Sequence, residues 1–463
     1  MTRPTFLQAP SWKAPTNFYL APHISAIPSL FPLFSSLFLP LSLSLSLSLS
    51  LSLSLPHSPS FPFFLSFPLR QYLKEQMERR RLYNELQELR GNIRVFCRVR
   101  KDEGDCQFEF PNESEVIVNT LQGGKDTLEF DKCYGPDSLQ EKVFEDTKPT
   151  ILSCVDGYNV CIMAYGQTGS GKTFTMMGPI ENPGVNRRAI RELFEACKAR
   201  AEVRYTISVS IMEVYNEKLF DLLQPSRDGQ NLSIHSGPQG TYVNNLTEHV
   251  VGGQHEIEEI MAQGDKNRST SSTKMNSDSS RSHLLLQLKV TGLNSITGAN
   301  TSGKLTLVDL AGSERISKTE ASGDRLVEAA AINKSLTSLG QVFQALASGA
   351  PHVPYRNSKL TYALQDSLGG DSKTCVFVNC SPKERSVCSV VVRGVWFLLH
   401  LDFVPRPFAH LWSLPPFYSN LSETHCTLKF GQNVRKVELG PATKNKKGSA
   451  PRALPAPPRP ARR

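Results

Sequence analysis

The chain has 463 residues, a length that admits one large domain with appendages or two to three ordinary domains without choosing between them. Its formal charge of +9 points toward an acidic partner, but seven Lys or Arg and no Asp or Glu fall in residues 441–463, so the rest is near balance and only local basic patches can favour such a partner. The ten cysteines (Cys97, Cys106, Cys133, Cys154, Cys161, Cys197, Cys375, Cys380, Cys388 and Cys426) contain no C-x-x-C pair and no metal-ligand His spacing, so they read as small core residues of a reducing compartment.

Residues 1–70 are low-complexity Leu/Ser/Pro sequence in which Leu41 to Leu55 alternate strictly with serine. Alternation fits an amphipathic strand, yet one face would be all Leu without a partner. A membrane span needs about 20 mainly apolar residues, and the alternating hydroxyls and flanking prolines argue against one. A secretory signal lacks its basic n-region. A CT dinucleotide repeat read in frame gives Leu-Ser alternation, so this segment is expected to be disordered or artefactual. No membrane partner is expected.

Residues 71–90 (QYLKEQMERRRLYNELQELR) are rich in helix formers, with Leu82, Leu86 and Leu89 on one stripe. The heptad puts Glu75 and Arg79 in the seam, so the coiled-coil signal lasts about two turns and marks a short neck helix. From Gly91 the pattern is α/β. Apolar runs at 93–99, 160–165, 206–214, 283–290, 304–310 and 374–380 read as strands, several buried on both faces. Helical stretches such as RRAIRELFEACKAR and RLVEAAAINKSLTSLGQVFQALA lie between many of them. A central, mostly parallel mixed sheet with helices on both faces is expected. Between about 387 and 420 an unpatterned apolar insert interrupts this texture and reads as a lid, a partner site or, by preference, a retained intron. Residues 437–463 are a basic, Pro-rich tail expected to be disordered.

Residues Gly166, Gln167, Thr168, Gly169, Ser170, Gly171, Lys172 and Thr173 spell GQTGSGKT, following an apolar run and preceding a helix start. Such a loop curls backbone N–H groups around phosphates, supplies the Lys172 charge to the β and γ oxygens, and offers the Thr173 hydroxyl to Mg2+. A Gly-rich turn is the plain alternative. Asp309 ends the run KLTLVDL and can hold a metal through water, while Gly312 lets its N–H approach a γ-phosphate; an ordinary strand end is the alternative. The run NSDSSRSH (276–283) offers hydroxyls, though a Ser-rich run is often a polar loop.

Taken together, GQTGSGKT (166–173), NSDSSRSH (276–283) and DLAGSE (309–314) resemble, in this order, the P-loop, switch I and switch II of kinesins. MEVYNEKLFDLL (212–223), NKSLTSLG (333–340) and VPYRNSKLT (353–361) match as well, so the resemblance covers nearly all of 91–436 except the insert. It implies a P-loop NTPase motor fold and an ATPase coupled to microtubule movement, with ATP and Mg2+ as cofactors. Ser279 and Ser280 would contact the γ-phosphate, Mg2+ and the lytic water, Ser280 joining Thr173 and, through water, Asp309 at the metal. Arg281 and Glu314 would pair across the switches on closure. Arg98 and Phe174 would lie near the adenine. Kinesins typically read R-x-R-P where this chain has Arg98, Val99, Arg100 and Lys101, so a proline that shapes the adenine pocket is missing.

Lys318, Lys334, Arg356 and Lys359 match the basic positions with which kinesins grip acidic tubulin; each alone reads as solvated surface charge, but several screened contacts sum to a salt-sensitive interface. The neck enters the motor from its N-terminal side, similar to minus-end-directed kinesins with C-terminal motors. A homodimer through an upstream stalk, a place on cytoplasmic microtubules of the cytoskeleton and no nucleic-acid partner follow from that resemblance. The alternatives are an inactive or rigor-like microtubule binder, from the adenine side and the insert, and a P-loop GTPase, for which NKSL puts Leu336 where a base-reading acid is required.

Overall fold

The computed structural model describes residues 61–89, 91–102, 108–119, 124–226, 229–237, 240–272, 279–315, 323–369, 372–382, 420–439, 442 and 445–447. The chain divides at Arg70 into two compact units. Of Met1–Arg70, the described part is helical backbone over 61–70; the sheet and every candidate site residue belong to Gln71–Arg463. The Leu-Ser run, the segment around 387–419 and residues 448–463 lie outside the described residues; of the tail expected to be disordered over 437–463, Val437 and Ala442 are buried and Lys446 and Lys447 pair with Thr301 and Asn300.

Helix α1 (Phe61–Leu89) starts ahead of the expected boundary at Gln71 and leads into β1 (Ile93–Val99). A small antiparallel sheet of β2 (Phe108–Glu109), β3 (Glu115–Asn119) and β4 (Lys125–Glu129) follows. The chain then runs through β5 (Lys132–Tyr134), α2 (Gln140–Val155), β6 (Asn159–Tyr165), α3 (Lys172–Met176) and α4 (Val185–Lys198). Long β7 (Val203–Tyr215) turns into β8 (Lys218–Asp221), and the hairpin of β9 (Ser233–Gly237) and β10 (Gly240–Asn244) precedes β11 (His249–Val251) and α5 (Gln254–Ser272). Next come β12 (His283–Asn294), β13 (Asn300–Asp309) and α6 (Asp324–Ala347). Short α7 (Lys359–Ala363) and α8 (Gln365–Leu368), then β14 (Ser372–Cys380), α9 (Asn420–Arg435) and β15 (Lys446–Lys447) complete it.

The main sheet has the order β11-β7-β12-β13-β6-β14-β1-β5, with β8 and β15 as edge additions to β7 and β13. From β13 to β5 every pairing is parallel, and from β11 to β13 every pairing is antiparallel. The sheet is therefore mixed and mostly parallel, as the apolar runs imply. Side chains alternate across it with the two-residue period of a strand: Cys161 and Met163 of β6 and Val376 and Val378 of β14 enter one core, Ile162, Ala164, Cys375 and Phe377 the other. The first core is closed by α6 to α9 (Leu339, Phe343, Leu360, Leu428), the second by α2, α4 and α5 (Ile151, Leu193, Ile257). Both faces are thus helix-covered, which is why these strands read as continuous apolar runs. Eight described cysteines are free, and all but Cys426 are buried.

Helix α1 docks by its polar side. Asn84 is buried and donates to Asp156 Oδ2 (2.9 Å), while Ser153 and Lys373 donate to its Oδ1 (3.2 Å each). Arg80 pairs with Glu202 at 3.0 Å. Leu82, Leu86 and Leu89, the expected stripe, remain 52%, 46% and 86% exposed, so nothing among the described residues buries it.

Candidate active site

Parallel pairing brings the C-terminal ends of β1, β6, β13 and β14 to one sheet edge, the place where open α/β sheets carry ligands. The registers Asp309 with Ala164, Tyr165 with Val378 and Arg98 with Asn379 set that edge. From it the loop Gly166–Gly171 rises into α3. Gly169 and Gly171 have φ of 76° and 96°, and a Cβ on Gly166 would collide with the Asn379 carbonyl; glycine is the residue that tolerates both demands.

The loop is closed on itself. Lys172 is buried and donates from Nζ to the Gln167 carbonyl (3.0 Å). Thr173 Oγ1 donates to Asp309 Oδ2 (2.8 Å), and the other carboxylate oxygen of Asp309 is buried with no protein partner. Burial raises the Asp309 pKa, against the Thr173 hydrogen bond and the Lys172 charge. Asp309 and Thr173, expected at a metal, are therefore in contact, with one acceptor left over.

Arg98 and Phe174 come together on the outer side: the guanidinium lies over the ring at 5.3 Å and donates to Gln140 Oε1 (2.7 Å) and Thr175 Oγ1 (3.1 Å). Burial lowers Arg98 to about 10, with Tyr134 opposing. Phe174 is exposed, which leaves an aromatic face beside the loop. Where the proline is missing, Lys101 points to Asp137 (2.8 Å), and Arg100 donates to the Gly169 carbonyl (2.6 Å) while pairing with Asp102.

Backbone hydrogen bonds join the segment 309–314 both to the loop and to the segment before β12. The Gly312 N–H donates to the Ser280 carbonyl (2.7 Å) and the Ser313 N–H to the Gly166 carbonyl (3.1 Å). A Cβ at Gly312 would strike Glu314 and Thr168. Arg281 and Glu314 are not paired with each other in this state. Glu314 accepts from the Thr168 N–H (2.9 Å) and hydroxyl (2.6 Å), and Arg281 pairs with Glu328 of α6 at 3.1 Å. The cause is competition: two loop donors hold the Glu314 carboxylate, and a buried carboxylate on α6 holds the guanidinium. The backbone of Ser279 and Ser280 forms a short 3-10 turn, and Ser280 is half-buried.

Among the basic residues singled out from the sequence, exposed Lys334 of α6 reaches Glu217 (3.6 Å), and the Lys359 N–H donates to the same carboxylate (3.3 Å). Arg356 lies over Tyr362 at 5.4 Å. Lys334, Arg356 and Lys359 are all exposed, and Glu217 ties α6 to the start of α7; Lys318 lies outside the described residues. Asn379, Gln140, Glu328 and Ser335 were not singled out from sequence. Asn379 alone carried a signal, as the one amide in the run TCVFVNC; it donates to Thr175 Oγ1 (2.8 Å).

The family model described as kinesin motor domain matches residues 86–391. The chain is 44% identical over 385 residues to kinesin-like protein KIN-14R of Arabidopsis thaliana, covering 81% of this chain and 32% of that one. To kinesin-like protein KIN-14S of the same plant it is 44% identical over 388 residues, covering 81% and 46%. Among solved structures, the C-terminal motor and motor homology domain of Kar3Vik1 fused to a synthetic heterodimeric coiled coil is similar with a TM-score of 0.67 and 34% identity, covering 81% and 93%. The chain spans less than half the length of these two curated relatives. With a P-loop, two switch segments and a helix-covered mixed sheet joined at one edge, it belongs to the kinesin motor domain family.

Proposed function

We propose that the chain is an ATP-hydrolysing, microtubule-dependent motor, minus-end-directed, acting on cytoplasmic microtubules. The observation that carries this reading is a backbone chain that ties the 309–314 segment to both neighbours, Ser313 N–H to the Gly166 carbonyl of the loop and Gly312 N–H to the Ser280 carbonyl of the other switch segment. A phosphate entering there contacts residues whose amides and carbonyls already hold each other, so nucleotide state has a mechanical consequence.

The roles follow from position. Gly166 to Thr173 wrap the phosphates, and Lys172 exchanges the Gln167 carbonyl for phosphate oxygen. Arg98 and Phe174 present the adenine platform. Thr173, Ser280 and, through water, Asp309 hold Mg2+, which the unpartnered Asp309 oxygen and the Thr173 contact fit. Bound there, the ion would neutralise charge on the β and γ oxygens. Ser279, Ser280 and Gly312 position the γ-phosphate and water, and Arg281 and Glu314 leave Glu328 and Thr168 to pair as the site closes. Lys318, Lys334, Arg356 and Lys359 form the tubulin-facing patch. Direction rests on a neck, residues 71–90, that enters from the N-terminal side, and dimerisation on the exposed Leu82, Leu86 and Leu89 stripe.

The test is ATP turnover by the full chain with and without microtubules. Stimulation by microtubules supports the motor reading. Co-sedimentation without turnover would replace it by a rigor-like binder, for which the Arg100 contact to Gly169 beside the altered adenine side is the structural argument.

A further inference from the structure

Switch II is held at two consecutive amides by the segment that starts β12. Gly312 N–H goes to the Ser280 carbonyl, and Ala311 N–H goes to Nδ1 of His283 (3.0 Å). The opposite ring nitrogen, Nε2, lies 2.7 Å from the hydroxyl of Ser335 on α6, and that hydroxyl donates to the Ile332 carbonyl of its own helix (2.7 Å). His283 is 2% exposed. Burial, with Lys172 and Arg268 pushing the same way, lowers its pKa to about 3, so the ring is neutral. Because Nδ1 accepts from Ala311, the single ring proton sits on Nε2 and is donated to Ser335.

From this geometry we infer that His283 is a positioning residue that couples switch II to α6: its rigid ring links the Ala311 amide, next to the γ-phosphate-sensing Gly312, to the Ser335 hydroxyl and through it to the helix backbone at Ile332. The imidazole has fixed length and two opposed polar ends, both used. A shift of Ala311 as Gly312 engages phosphate must therefore push the ring against α6 or break one of its bonds, and a buried broken bond is unfavourable. This route runs through side chains, not through the covalent path over residues 316–322. It rests on the proposed nucleotide switching for its purpose, but the contact can be tested without filament.

The experiment follows amide exchange across 324–347 in the full chain with ADP and with a non-hydrolysable ATP analogue, each saturating with Mg2+, in wild type, Ser335→Ala, His283→Asn and the double variant. His283→Asn keeps an acceptor near the Nδ1 position but cannot span to Ser335. The expected result is a nucleotide-dependent exchange difference in wild type that shrinks about fivefold or more in each single variant, the low end of a site-to-site coupling. The double variant should lose no more than either single one, and Ser335→Thr, which restores the hydroxyl, should recover the difference. An equal response in wild type and Ser335→Ala would overturn the inference, as would no response of α6 in wild type. The ratio of microtubule-stimulated to basal turnover separates coupling from simple damage: a relay lowers the ratio, whereas a structural role lowers both rates in proportion with the melting temperature. If α6 responds to nucleotide but microtubules never stimulate wild type, the motor reading fails and the relay stands.

Discussion

Asp309 is a buried carboxylate with one oxygen on the Thr173 hydroxyl and the other without a hydrogen-bond partner among the described residues. Its folded-state pKa is raised by burial above the ordinary 3.8. An acid in that condition holds its proton longer when folded. Its stabilising contribution is full below 3.8 and is lost as pH climbs through the raised value. Asp309→Asn removes the buried charge while leaving an oxygen to accept from Thr173, so the nucleotide-free, metal-free variant should melt higher than wild type at neutral pH, with the gap closing toward pH 4. The same variant should lose the extra stability that Mg2+ with ADP confers on wild type by mass action. Thermal melts over that pH range decide it, and a variant less stable at pH 7 contradicts the assignment. Lys172 makes the complementary case: it is a buried cation that donates to a carbonyl of its own loop. Lys172→Ala should reduce ATP turnover by about 100-fold or more, the scale for deleting one preorganised charge-stabilising donor; turnover within tenfold of wild type would place the chemistry elsewhere.

At the scale of elements, α1 shows how a helix can be held by polar groups while its apolar stripe faces out. Asn84 gathers Asp156, Ser153 and Lys373, and the Lys373 ammonium also lies over the Tyr158 ring at 4.3 Å. Removing the amide takes one hydrogen bond from each of these buried partners, a cost of roughly 1–3 kcal/mol. Asn84→Ala should therefore raise amide exchange over residues 71–89 without moving that of β6 or β14, whereas Leu86→Ala, at an exposed position, should do neither at concentrations that keep the chain monomeric. Exchange spreading equally through the sheet would mean that Asn84 stabilises the core and not the docking. The docked face was illegible in the sequence because hydrophobic periodicity reports only apolar faces, and this one is built of Arg80, Asn84 and Gln87. The strands, by contrast, were legible as apolar runs because α2, α4 and α5 cover one side of them and α6 to α9 the other. The hairpin of β9 and β10 escaped because it is only partly buried and carries no sustained alternation. The candidate site divides the same way: GQTGSGKT is contiguous and could be read directly, while Gln140, Ser335 and Glu328 reach it from other elements and are defined only by folding.

Over the whole molecule, the fold is completed by α9, which lies beyond the matched stretch 86–391 yet supplies core residues. Leu428 and Val434 are fully buried, and Phe430 stacks on Tyr165 of β6 at 3.8 Å and meets Phe343 of α6 edge-on at 5.9 Å. That helix therefore touches the strand that leads into the phosphate loop and the helix proposed to face tubulin, so its seating matters to both ends of the proposed cycle. The connection from Pro382 to Asn420 is long for a link between neighbouring elements, and loop closure costs about (3/2)RT ln n. Deleting 387–419 shortens it without removing any described contact. Conformational entropy alone then favours the shortened chain by roughly 2 kcal/mol, which should appear as a higher urea midpoint at unchanged slope. If the deleted segment only lengthens the loop, microtubule-stimulated turnover should also be equal to or above that of the full chain. A lower midpoint would mean that 387–419 contributes contacts to the fold or that the four remaining linker residues hold α9 away from Tyr165 and α6, and a higher midpoint with abolished turnover would mean that the segment serves the reaction cycle and not the fold.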